Sequence, residues 1–96
     1  MRCEISPLAE FDLEEIGDYI ARDNPSRAVS FVREIRACCD KIAYNPEAAP
    51  LRHDLGEGLR MAIFGRYLVF YTADSESVRI ERILHGARNI SALFDE

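Results

Sequence analysis

The longest purely apolar run in this 96-residue sequence is YLVFY, Tyr67–Tyr71. A bilayer-spanning helix needs about 20 such residues, so no membrane contact is expected. The opening residues, MRCEISPLAEFDLEE, turn acidic at once and lack the apolar stretch of a secretory signal, which points to the cytoplasm. Proton carriers are scarce. There is one lysine, Lys41, and there are two histidines, His53 and His85. The three cysteines, Cys3, Cys38 and Cys39, are odd in number and show no metal-ligand spacing. Adjacent helical residues point about 100° apart, which disfavours a Cys38–Cys39 bridge. They read as small apolar core residues, and neither metal nor cofactor is expected. Nothing repeats and nothing is low-complexity, so residues 1–96 form one domain.

The formal charge is −5. Acidic chains are poor general binders of nucleic acid, whose affinity rises with the phosphates neutralised. All six basic residues after position 50 are arginines: Arg52, Arg60, Arg66, Arg79, Arg82 and Arg88. A local arginine patch is therefore the only route to a polyanion, and protein contact suits arginine at least as well.

Residues 2–5, RCEI, suit a short strand. Ser6-Pro7 is a helix start, with serine as cap and proline in the first turn. The helix runs to about Arg22, with Ala9, Leu13, Ile16 and Ile20 at helical spacing. Glu10, Asp12, Glu14 and Glu15 lie near its N-terminus, where the helix dipole favours negative charge. Asn24-Pro25 starts a second helix with the stripe Ala28, Phe31, Val32, Ile35, Cys39 and Ile42, and Asn45-Pro46 ends it. So short a link makes the two an antiparallel hairpin. Residues 45–58, with two prolines and two glycines, read as a loop. Three strands follow at 59–64, 67–72 and 78–85. Gly65-Arg66 fits a tight hairpin turn with glycine leading. Gly86 frees the chain to turn, and ARNISALF suits one or two helical turns. The order β-α-α-β-β-β gives an α+β fold with a helical hairpin on one face of an antiparallel sheet.

Both faces of the strand 67–72 are apolar or aromatic, and two layers hide only one of them. Either the C-terminal segment or a partner chain covers the other. Phe11, Tyr19 and Tyr44 are surplus on the helices, and such patches mark binding surfaces.

The segments SPLAEFDLEEIGDYI (6–20), GLRMAIFGRYLVFYT (58–72) and VRIERILHGARNI (78–90), in this order, resemble the ParE toxins of the RelE/ParE superfamily. The resemblance implies the same fold and the toxic half of a bacterial type II toxin–antitoxin pair. ParE-type toxins poison DNA gyrase, whereas RelE-type relatives cleave mRNA on the ribosome. Either kind is neutralised by an antitoxin, ParD-like in the ParE case, whose C-terminal segment wraps the toxin. The antitoxin's N-terminal part binds DNA, so DNA contact is only indirect. Phe11, Ile16, Tyr19, Leu68 and Phe70 are the candidate antitoxin contacts, in an apolar interface beyond about 2,000 Å².

Metal-free RNA cleavage needs a base, an acid and a cation at the phosphorane. Arg60 and Arg82 are candidate phosphate clamps, His85 a candidate acid or base, and Tyr71 an auxiliary. The tail after His85 offers no tyrosine, histidine or lysine and ends in two acids. A proton-transfer pair is hard to assemble, which favours a protein-binding toxin over an mRNA endonuclease. Arg60, Arg82, His85 and Arg88 are then the candidate target contacts. For Arg82, His85 and Arg88 the bland alternative is pairing with Glu81, Asp95 or Glu96.

Overall fold

The computed structural model describes residues 1–88 and 90–94. Seven elements follow one another: β1 (Arg2–Ile5), α1 (Pro7–Ala21), α2 (Pro25–Tyr44), β2 (Arg60–Phe64), β3 (Tyr67–Ala73), β4 (Ser77–His85) and α3 (Ile90–Phe94).

Both long helices begin as their punctuation predicts. Ser6 Oγ accepts the Ala9 N–H at 3.1 Å, and Asn24 Oδ1 accepts the Arg27 N–H at 3.1 Å. Proline follows each cap, where its missing N–H leaves no helical bond unmade. The β2–β3 turn is led by Gly65 at φ +59°, a left-handed conformation that side chains resist.

The sheet order is β1-β4-β3-β2. The last three strands form the antiparallel meander that their short connections require. β1 adds to it in parallel, with Cys3 opposite Val78 and Ile5 opposite Ile80. A parallel neighbour needs a long crossover, and the helical hairpin lies between β1 and the meander in the chain. Strand β4 carries a bulge. Phe70 pairs with Arg82 and Tyr71 with Ile80, leaving Glu81 unopposed.

The helices cover one face of the sheet. Ala9, Leu13, Ile16, Ile35, Cys39 and Ile42 close over Val69, Tyr71, Val78, Ile80 and Ile83. Phe31 meets the rings of Phe64 and Tyr67 at centroid distances of 5.6 and 5.5 Å.

The opposite face of β3 is covered by the chain itself. Leu55 and Leu59 from the long loop, with Ile90, Leu93 and Phe94 of α3, pack on Phe70 and Leu84. The Phe70 and Phe94 rings meet edge-on, centroids 4.9 Å apart. Of the two coverings open in the sequence, the C-terminal segment and the loop supply the one seen here. Phe70 is therefore fully buried, Ile16 is buried under the hairpin, and Leu68 is half-buried against the second cluster. This corrects the expectation that Phe70 and Ile16 lie open to a partner. The surplus rings on the helices are exposed: Phe11 by 57%, Tyr19 by 66% and Tyr44 by 88%.

Candidate functional site

Strand β4 outlasts its neighbour. β1 ends at Ile5 opposite Ile80, while β4 continues to His85. Beyond Ile80 its outer edge has no strand partner among the described residues, and unpaired edge groups need other partners. Two side chains from α1 and its cap supply them. Ser6 Oγ donates to the Glu81 carbonyl at 2.9 Å, and the Ile83 N–H donates to Asp12 Oδ2 at 2.9 Å. The Arg82 guanidinium closes on the same carboxylate, Nε to Oδ2 at 2.9 Å and Nη2 to Oδ1 at 3.0 Å. Asp12 is buried, and its hydrogen bond holds Arg82 all the more firmly protonated. The acidic cluster of the first helix thus contains one residue whose role is not the helix dipole. Sequence order could not single it out, because its partners lie 70 and 71 positions away.

Past Asp12, α1 and the β4 edge diverge around a groove of about 420 Å³. Ile16 and Ile83 lie beneath it. Tyr19, Tyr67, His85, Arg66, Arg88 and Glu15 line it. Tyr67 stands edge-on to His85, centroids 5.2 Å apart. Burial, then the nearby Tyr19, pushes the Tyr67 hydroxyl pKa upward, so it stays a neutral donor. The Ala87 N–H donates to His85 Nδ1 at 3.0 Å. The neutral imidazole then carries its hydrogen on Nε2 and has no free lone pair. It can donate a hydrogen bond but cannot take a proton without losing the Ala87 contact. Arg66 and Arg88 are exposed at the rim. Among the described residues neither forms a salt bridge, and neither side chain a hydrogen bond.

The other candidates lie elsewhere. Arg60 pairs with Tyr71 across the β2–β3 ladder, about 13 Å along β3 from the Tyr67–His85 pair. It donates to the Glu47 and Ala49 carbonyls at 3.2 and 2.6 Å, while Tyr71 Oη donates to the Pro46 carbonyl at 2.7 Å. These two fasten the long loop to the sheet. His53 lines a separate cavity with Asp54 and Phe94. The expected trio of Arg60, Arg82 and His85 is therefore not brought together. Arg82 pairs with Asp12 rather than Glu81, which meets Arg79 at 3.4 Å instead; Asp95 and Glu96 lie outside the described residues. Gly86 keeps an ordinary φ. A side chain there would just touch the Arg66 carbonyl, at 3.4 Å, so the glycine is not needed to free the chain for a left-handed turn.

A second, wider depression of about 920 Å³ runs between α1 and α2 on the side away from the sheet. Leu13, Gly17, Ala28 and Val32 lie along it, and Phe11 and Val29 stand exposed beside it. Glu14 and Asp18 lie on the α1 side with Glu10, which Arg36 neutralises at 2.7 Å. No helix among the described residues is long and apolar enough to cross a membrane, and none of their His, Cys, Asp and Glu side chains cluster as a metal site.

Residues 3–90 match the family described as ParE toxin of type II toxin-antitoxin system, parDE. The chain is 30% identical to Toxin ParE1 of Mycobacterium tuberculosis over 88 residues, 90% of each protein. It is 32% identical to Toxin ParE1 of Caulobacter vibrioides over 91 residues, 92% of each. Its fold matches a solved structure titled chromosomal ParDE TA system from P. aeruginosa, with a TM-score of 0.77 at 19% identity, over 88% of this chain and 95% of that one.

Proposed function

Because this chain belongs to the ParE toxin family of type II toxin–antitoxin systems, we propose that it acts by binding rather than by catalysis, with DNA gyrase as its target and a ParD-like antitoxin as its keeper. The observation that carries the binding reading is the state of His85. Its Nδ1 lone pair is taken by the Ala87 N–H, and the two arginines expected to act with it as phosphate clamps, Arg60 and Arg82, are engaged elsewhere. RNA cleavage needs a base with a free lone pair beside a free cation. Arg66 and Arg88 leave cations free beside His85, so the missing base, not a missing cation, argues against cleavage. Gyrase as the target follows from the family resemblance, and the net charge of −5 argues against RNA or DNA as the direct ligand.

For the antitoxin, the hairpin depression supports a helix-in-groove mode, with Phe11 and Val29 at hand as exposed apolar contacts, whereas Tyr19 lies in the other groove beside Tyr67. Its acidic α1 side favours lysines or arginines on the docking segment.

Gyrase supercoiling in the presence of the purified chain tests the target. Dose-dependent inhibition that is relieved by the antitoxin is the expected result. Unchanged supercoiling at saturating toxin, together with new cuts in primer extension of ribosome-bound mRNA, would return the chain to the nuclease reading.

A further inference from the structure

The groove beside β4 repeats, one step along the strand, an arrangement that the fold has already used once. At Ile83 an outward backbone N–H meets a carboxylate, that of Asp12, which an arginine also clasps. Outward and inward N–H groups alternate along a strand. The Gly86 N–H points inward, to the Arg66 carbonyl at 2.9 Å, so the His85 N–H points outward on the side of Ile83. It makes none of the hydrogen bonds found among the described residues. Around it stand the donor groups already described: His85 Nε2–H, Arg66 and Arg88, with Tyr67 and Tyr19 as walls. Asp12 is spent on Arg82. Glu15 is the remaining acid in the groove, so with His85 neutral one positive charge is left over.

We infer that this second position receives a carboxylate from the target protein: an aspartate or glutamate side chain seated on the His85 N–H and Nε2–H and clasped by Arg66 and Arg88. The inference rests on the binding reading above and holds for any protein target. A single carboxylate fits the groove better than a polynucleotide. Arg66, Arg88 and His85 share one groove, and Glu15 stands beside them, so the positive charge on offer is small. Glu15, in the same groove, would compete with an incoming carboxylate for the two arginines.

The direct probe is acetyl-Asp-Phe-Asp-amide, titrated into the isotope-labelled full chain and followed by the amide resonances of residues 83–88. These should shift with saturation, the Asn-Phe-Asn analogue should leave them still, and Glu15→Gln should tighten the binding. Shifts that the Asn peptide reproduces, weaker binding by Glu15→Gln, or tighter saturation by a short oligouridylate would each overturn the inference. The cellular arm is charge reversal, Arg66→Glu with Arg88→Glu, at two exposed positions that leave the core untouched. Growth arrest should fall by about a hundredfold in colony counts, while antitoxin co-purification stays within about threefold. Undiminished arrest, or equal loss of antitoxin binding, would remove the groove as the target site. If reversal abolishes arrest while wild-type toxin leaves gyrase unaffected, the carboxylate site stands and only the choice of gyrase falls.

Discussion

Asp12 on α1 and Arg82 on β4, 70 positions apart, share a two-pronged ion pair that also takes up the Ile83 N–H at the open edge of the sheet. Removing one partner of a buried pair strands the other. Asp12→Ala should cost about 3 kcal/mol in urea unfolding. Asp12→Asn keeps an acceptor for the backbone and should cost about 1–2 kcal/mol. Replacing both by leucine should recover part of the loss. Equal stability of Asp12→Ala and the wild type would show that the edge finds another cover.

The second sheet face depends on α3. Phe94 is half-buried against Phe70, so Phe94→Ala should lower stability by about 1–2 kcal/mol and raise binding of an apolar dye. Phe70→Ala, at a fully buried position, should cost about 3–5 kcal/mol. If the two losses are alike, the face is not covered in solution as described.

Phe11 and Val29 are more than half exposed beside the hairpin depression. Phe11→Glu with Val29→Glu should move stability by no more than about 0.5 kcal/mol. The same pair should weaken antitoxin binding by about a hundredfold in calorimetric titration, through lost apolar contact. Unaltered affinity would place the antitoxin elsewhere.

Burial pushes the Cys39 thiol up to about 12, well above its ordinary value near 9. A raised folded pKa means that the unfolded chain loses this proton first as pH rises. The stabilisation is whole below about pH 9 and falls by at most about 1.4 kcal/mol per pH unit from there toward 12. Cys39→Ala should be flatter over that window, in denaturation curves compared with the wild type. At pH 8 an alkylating reagent should label Cys38 and Cys3, which are part-exposed, before it reaches Cys39. Early labelling of Cys39 would show that α2 opens locally.

How far the sequence reached depended on the range of each cause. Caps, apolar stripes and the glycine-led turn act within a few residues. Ser6-Pro7, Asn24-Pro25 and Gly65 therefore announced the helices and the hairpin where the structure has them. Arg88 and His85 were read as target contacts and do share a groove, but Arg66, counted only as a turn residue, joins them through the β2–β3 hairpin. Arg60 and Arg82 are engaged within the chain, which the sequence does not show, for one reason. An arginine's role is set by the acceptors it meets, and theirs come from a distant loop and a distant helix.

By itself the chain determined its elements, their order and the family, because those follow from local pattern and from motifs in sequence. Only the tertiary structure decided that β1 lies parallel beside β4, that Leu55, Leu59 and α3 seal the far face, and that one aspartate of four nearby acids closes the sheet edge. Hydrogen bonds and apolar contacts at 3–6 Å are blind to distance along the chain, so no local pattern foretells which groups they join.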